Sequence, residues 1–253
     1  VSECLCGLSS LRMAQSSIWS SPPESLSLQT GEVHVWRIDL QQPGSLLEKF
    51  RSTLEADELQ RASRFHFEKH RSGFVVARGF LRDVLSRYLE TRPEALKFSY
   101  GDYGKPALAG RLHFNLSHSH EVALLAITED RQVGVDVEHI RADFATEDIA
   151  RRFFSRSEVE SFNRLPTEEQ VAAFFKCWTR KEAFIKATGR GFSQPLDEFD
   201  VTLAPEVAAA LLRVHEDDAS RWSISDIDVS EHYAGALVVE GPTPNIQYWQ
   251  FSG

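Results

Sequence analysis

Three short stretches of this 253-residue chain hold side chains whose types and spacing could do chemistry. In "GVDVEH" (134–139), an extended strand would turn Val133, Val135 and Val137 to one face and Asp136 and Glu138 to the other. Two carboxylates side by side repel, so that face is either open to solvent or prepared for a cation. In "KCWTRKEAFIKATGRG" (176–191), Glu182 and Lys186 lie four residues apart, which on a helix stacks them on one face. Alone, each feature has an ordinary reading, a solvated strand face and a surface helix pair. Together they offer three carboxylates and a lysine, an oxygen-rich set suited to a hard divalent cation such as Mg²⁺ that keeps waters and substrate phosphates in its shell. Lys186 would face the same phosphate. The third stretch is "YGKPAL" (103–108) followed by "HFNLSHS" (113–119). Lys105 sits in a turn set by Gly104 and Pro106, and Ser117, His118 and Ser119 close a strand, where side chains and backbone donors reach a ligand. A histidine in such a place is as readily structural. Between residues 61 and 82, Arg61, Arg64, Lys69, Arg71, Arg78 and Arg82 meet only one carboxylate, Glu68. Most of these decorate a helix, and one or two could grip a phosphate.

These groups need elements to hold them. "VHVWRIDL" (33–40) is a strand, rich in β-branched and aromatic residues between Gly31 and Pro43-Gly44. "EADELQRASRF" and "SGFVVARGFLRDVLSRYLE" are helical, with Phe74, Ala77, Leu81, Val84, Leu85 and Tyr88 at helical spacing. Short strands follow at "LKFSY", "LHFNLS" and "VALLAIT"; the last reaches "GVDVEH" through Glu129, Asp130 and Arg131, which reads as an antiparallel hairpin. The order then repeats. Thr167-x-x-Gln170 is a capping-box signature opening one long helix that Gly189 stops, and strands return at "FDVTL", "WSISDIDV", "YAGALVVE" and "IQYWQF". The pattern predicts an α+β protein of two similar halves, 31–130 and 131–253, after a poorly ordered Ser/Pro-rich extension over 1–30.

Composition narrows the partners. A net charge of −9 argues against a nucleic-acid or anionic-membrane binder, so any anionic partner must meet a local basic patch. No apolar run approaches the roughly 20 residues of a membrane span, and Cys4, Cys6 and Cys177 cannot form a disulfide framework, so a cytoplasmic protein is expected. The only methionine is Met13, which marks residues 1–12 as a candidate upstream extension. A metal-dependent nuclease would also cluster carboxylates with a lysine. It would be expected to show a broad basic face, and neither that nor a strand-borne Glu-x-Lys pair is here.

Taken in their order and spacing, "GVDVE", "FFKCWTRKEAFIKATGRG", "YGKPAL" and "FNLSHS" resemble the surfactin-synthetase-activating (Sfp) type of 4′-phosphopantetheinyl transferase, over roughly residues 33–240. The resemblance implies two α+β halves in a pseudo-twofold arrangement, each with a long helix packed on an antiparallel sheet, in a monomer. It implies Mg²⁺-dependent transfer of the phosphopantetheine arm of coenzyme A to a carrier-protein serine, releasing adenosine 3′,5′-bisphosphate. Carried over, Asp136, Glu138 and Glu182 would be metal ligands, for Mg²⁺ or Mn²⁺, and Glu182 the general base. Lys186 and His118 would join it in the catalytic set. Lys105, Ser117, His118 and Lys186 would hold coenzyme A, with Arg64 and Arg71 on its 3′-phosphate; Gly73 falls where one family member has an arginine. The implied partner is an acyl or peptidyl carrier protein, a small acidic helical bundle. Residues 151–191, with nine basic side chains against five acidic, would dock it, and Phe144, Phe153 and Phe154 would add apolar contacts.

Overall fold

The computed structural model describes residues 18–215 and 218–253. Alternation of side chains decides its layers. The first half runs β1 (Glu32–Asp39), α1 (Gly44–Thr53), α2 (Ala56–Ser63), α3 (Glu68–Tyr88), a two-rung ribbon of β2 (Ser99–Tyr100) and β3 (Pro106–Ala107), β4 (Leu112–Ser119) and β5 (Val122–Glu129). The second runs β6 (Val133–His139), α4 (Glu147–Phe153), α5 (Arg156–Asn163), α6 (Thr167–Thr188), β7 (Phe199–Val201), β8 (Leu211–Val214), β9 (Trp222–Ser230), β10 (Tyr233–Glu240) and β11 (Asn245–Gln250). Along β5, Ala123, Leu125 and Ile127 enter a core beneath α3, while Val122, Leu124 and Ala126 enter one shared by the two sheets. Along β10, Ala236 and Val238 face the core beneath α6, while Leu237 and Val239 join the shared one. Strands buried on both faces thus stack the molecule as helix, sheet, sheet, helix.

The sheets repeat one order. The first is β11-β1-β5-β4 and the second β6-β10-β9; without β11 they correspond strand for strand, all antiparallel. A buried ionic device repeats with them. Glu58, third residue of α2 in a capping box begun by Glu55, accepts from Arg78 Nε and Arg82 Nε at 2.7 Å each. Arg82 also donates to the Pro93 and Leu96 carbonyls and lies over the Phe98 ring. One hundred residues later Glu158, in a capping box begun by Ser155, pairs with Lys181 at 2.8 Å. Lys181 donates to the Leu196 and Phe199 carbonyls and lies over the Phe199 ring. Buried charges persist only when paired and fully hydrogen-bonded, so the same solution at the same place makes the pseudo-twofold visible where residue identity does not.

Some expectations fail for physical reasons. Glu129-Asp130-Arg131 is no hairpin turn: β5 ladders with β1 and β4, and β6 opens the other sheet against β10. β5 already has a ladder partner on each side and β6 needs both faces covered, so the chain crosses between sheets, with Asp130 in the left-handed region at φ 54. The hairpin is β4–β5, through His120 at φ 53. Thr167 is no cap either. Pro166 takes the cap position, where a missing N–H costs nothing, and Gln170 Nε2 donates to the Leu165 carbonyl. Gly189, at φ 70, does end α6. Strand β11 runs parallel to β1 and delivers Phe251 into the first core beside Phe50 and Phe80, so that half is closed by residues from the far end of the chain. Residues 18–30, expected to be poorly ordered, lie along the first half: Ser20 bridges to Trp249, and Leu26 and Leu28 pack on its core. Met13, Cys4 and Cys6 lie outside the described residues; Cys177 is buried and free.

Candidate active site

Close approach of β6 and α6 makes the site. A Cβ at Gly134 would overlap the Ala183 carbonyl oxygen and the Ala187 amide nitrogen, so only glycine lets strand and helix meet there. Asp136 is two residues on, on the same face of β6, and Lys186 is one turn past Glu182 on α6. The two meet: Lys186 Nζ stands 2.5 Å from Asp136 Oδ1. Lys186 also donates to Ser117 Oγ at 2.8 Å, and Ser117 donates to Asp136 Oδ1 at 2.8 Å. The carboxylate face is therefore not solvated. Asp136 is 2% exposed, and its second oxygen, Oδ2, is buried without a hydrogen-bond partner among the described residues. Glu138 accepts from Ser119 Oγ at 2.7 Å.

The electrostatics record crowding of like charge. Burial first, then Asp136 and Glu138, push the Glu182 carboxyl up to about 7, with Lys186 opposing. Burial and Asp136 raise Glu138 as well. Among the described residues no three His, Cys, Asp or Glu side chains already stand in a metal-holding arrangement. The positive charge nearest Asp136 is Lys186, which leaves Glu182 to Asp136's side of the cluster rather than forming the simple helix pair that its spacing suggests.

The other expected residues separate. His118 points to the opposite side of β4 from Ser117 and Ser119, as strand alternation requires, and lines a cavity of about 460 Å³ with Lys69, His70, Gly73 and Phe74. It keeps an exposed edge, yet desolvation, and after it the Lys186 charge, hold its imidazole below the ordinary range. Neither Arg64 nor Arg71 lines that cavity. Arg71 is tied to Glu68 and to the Phe65 carbonyl, and Arg64 caps the exposed end of α2. Lys69, one of the basic residues that the sequence offered for a phosphate, and His70, which it did not single out, stand there instead; helical phase with Gly73 and Phe74 was the available signal. Lys105 donates to the Val133 and Ala187 carbonyls at 3.1 and 3.2 Å, stapling β6 to the end of α6, and burial lowers its amine to about 8. It also borders a cavity of about 220 Å³ with Tyr103, Asn115 and Lys186. A separate cleft of about 920 Å³, lined by Arg156, Ser157, Asp200 and Arg213, includes none of these residues.

An aromatic shelf adjoins Glu182. One turn earlier on α6, Trp178 meets the edges of Phe144 and Phe153 at 5.7 and 5.3 Å, all three half-buried. Phe154, expected with them, is core at 3% exposure. Of the nine basic residues over 151–191, Arg180 and Lys181 are fully buried on Asp226 and Glu158, and Lys186 belongs to the carboxylate cluster.

Comparison with known proteins places these features in a lineage. Residues 132–238 match the 4′-phosphopantetheinyl transferase superfamily, and residues 42–130 match the family described as 4′-phosphopantetheinyl transferase, N-terminal. Over 238 residues the chain is 40% identical to the 4′-phosphopantetheinyl transferase HetI of Nostoc sp., covering 92% of this chain and 98% of that one. Over 158 residues it is 32% identical to the 4′-phosphopantetheinyl transferase Sfp of Bacillus subtilis, covering 62% and 69%. Among solved structures, Thermotoga maritima holo-[acyl-carrier-protein] synthase aligns with 44% of this chain and 62% of its own at 28% identity and a TM-score of 0.34.

Proposed function

The chain belongs to the 4′-phosphopantetheinyl transferase superfamily, and from that premise we propose that it moves the phosphopantetheine arm of coenzyme A onto a serine hydroxyl of an acyl or peptidyl carrier protein. The observation that carries this reading is the buried Ser117–Asp136–Lys186 junction, whose unpartnered Asp136 Oδ2 faces a deficit of positive charge beside Glu138 and Glu182. An all-oxygen donor set with a buried orphan oxygen fits Mg²⁺ or Mn²⁺, and Asp136, Glu138 and Glu182 would hold it. When bound, such an ion offsets charge on the coenzyme A diphosphate.

The chain's own groups do the rest. Lys186, already aimed at this junction, donates to phosphate oxygens. Glu182, poised near neutrality, accepts the carrier serine proton directly or through one water. The serine oxygen bonds to the phosphorus that bears pantetheine as the diphosphate P–O bond breaks, and adenosine 3′,5′-bisphosphate leaves. His118, Lys69 and His70 supply donors for the nucleotide end from their cavity, in place of Arg64 and Arg71. Lys105 keeps β6 and α6 in register and has one donor left for a ligand at the edge of its cavity. The Trp178, Phe144 and Phe153 shelf, flanked by exposed Arg141 and Arg152, offers an acidic helical carrier an apolar seat within reach of Glu182. Two halves in one chain make a monomer sufficient. Among the described residues no helix is long and apolar enough to cross a membrane.

Intact-mass analysis of an apo carrier protein incubated with the enzyme, coenzyme A and Mg²⁺ tests the reading. A carrier heavier by one phosphopantetheine arm is expected. An unmodified carrier that another transferase does convert under the same conditions would overturn it.

A further inference from the structure

Strand β4 is the last strand of the first sheet and β6 the first of the second, and the two edges cross without forming a ladder. In the other half the corresponding edge, that of β1, is filled by β11 in six parallel pairs. No strand fills the outer edge of β6 among the described residues. Side chains do so instead. Residues 115, 117 and 119 share one face of β4, and each reaches β6: Asn115 Oδ1 accepts the Val135 N–H at 2.9 Å, and Ser117 donates to Asp136 at 2.8 Å. Ser119 Oγ does two things at once. It donates to Glu138 Oε2 at 2.7 Å and accepts the His139 N–H at 3.1 Å.

We propose that Ser119 is a positioning residue that restricts the Glu138 carboxylate to the side of β6 that carries Asp136, so that fewer of its orientations remain to be fixed when a cation arrives. The inference rests on the reading that Asp136, Glu138 and Glu182 hold a divalent ion. A glutamate has three rotatable side-chain bonds, and on a bare strand edge most of its orientations miss the site. Two hydrogen bonds on one hydroxyl remove that freedom. The acceptor bond from His139 N–H fixes where Oγ stands, which leaves its proton one direction, toward Oε2. Asn115 and Ser117 secure the same edge at the preceding steps, so Ser119 acts on a strand that is itself held. The partner of Glu138 is a neutral hydroxyl, so orientation is achieved without an added positive charge that would compete with the ion. Lys186, by contrast, sits on Asp136.

Mn²⁺ binding to the protein–coenzyme A complex, followed by the electron paramagnetic resonance signal of free Mn²⁺, reads the effect without turnover. Ser119→Ala is expected to weaken Mn²⁺ about tenfold, the lower end of what a lost supporting hydrogen bond to a metal ligand costs. Ser119→Thr, which keeps the hydroxyl, is expected to stay near wild type. Ser119→Ala, which leaves the His139 N–H without its acceptor, should melt somewhat lower while Ser119→Thr does not, and metal-free coenzyme A affinity, read in parallel, separates any change at the cavity that Ser119 also borders. Ser119→Cys, equal in shape but a weak donor, serves the same readout if the alanine variant does not fold. Wild-type Mn²⁺ affinity in Ser119→Ala or Ser119→Cys overturns the proposal alone. A wild-type protein that takes up no Mn²⁺ with coenzyme A overturns the metal reading and this proposal together.

Discussion

Glu182 is the residue on which protonation and the proposed proton transfer meet. Its carboxyl is held at about 7 by burial and by Asp136 and Glu138, so the ligand-free folded state keeps a proton there that the unfolded chain has lost. Between the ordinary carboxylate range and pH 7 the native state binds more protons than the unfolded one, and stability falls as pH rises through that window. Glu182→Gln removes the penalty. Calorimetry should find its ligand-free melting temperature above wild type at pH 8 and the difference gone near pH 4. Transfer by the same variant should fall at least about 100-fold, the range for a lost general base, and near-normal turnover would remove Glu182 from the chemistry. The i, i+4 spacing of Glu182 and Lys186 was plain in the sequence, but not that Lys186 would leave its helical neighbour for Asp136. A nearly buried carboxylate gains far more from a cation than a half-exposed one. Lys105 is similar: the turn around it was legible, while the two carbonyls it serves come from residues 28 and 82 positions away.

The decisive contacts between elements are those of β6 with α6 and of each capping helix with its long helix. Gly134→Ala places a methyl against the backbone of Ala183 and Ala187, and relief requires the helix to move off the strand. Overpacking of this kind costs about 1–3 kcal/mol, which urea unfolding should resolve. Transfer should fall further than stability does, because the same displacement parts Lys186 from Asp136. Glu158→Gln leaves Lys181 charged in the core without its counterion, a loss of about 3–5 kcal/mol by denaturant unfolding, part of which Lys181→Met on the same background should restore. Ser155-x-x-Glu158, not singled out in the sequence, forms a capping box, while Thr167-x-x-Gln170, which was, does not. The pattern is local, and the proline before Thr167 had already taken the cap position.

At the scale of the whole molecule, the last strand completes the first sheet. Removing residues 245–253 strips β1 of a ladder partner and takes Phe251 from between Phe50 and Phe80. The truncated chain should lose its cooperative melt by circular dichroism, and transfer with it, although β11 contributes no residue to the carboxylate cluster. A shortened chain that melts sharply and transfers normally would show that the first half closes by itself. Charge also acts at this scale. The chain carries −9 overall, so on the proposed reading an acidic carrier would be drawn to the exposed arginines beside the aromatic shelf, and its KM should rise with added salt as that attraction is screened. A salt-independent KM would remove the electrostatic part of docking.

Sequence by itself determined what depends on near neighbours: the two faces of "GVDVEH" and "FNLSHS", the shared helix face of Glu182 and Lys186, the stop at Gly189, and the recurrence of helices and strands in two halves. Those follow from backbone periods of two and 3.6, which a short window already contains. Tertiary structure alone decided that β5 and β6 part into different sheets, that β11 returns to β1, that Lys69 and His70 rather than Arg64 and Arg71 border the His118 cavity, and that Asp136 claims Lys186. Each is a choice among distant competitors for one ladder edge, one cavity wall or one cation, settled by which pairing leaves the fewest polar groups buried alone.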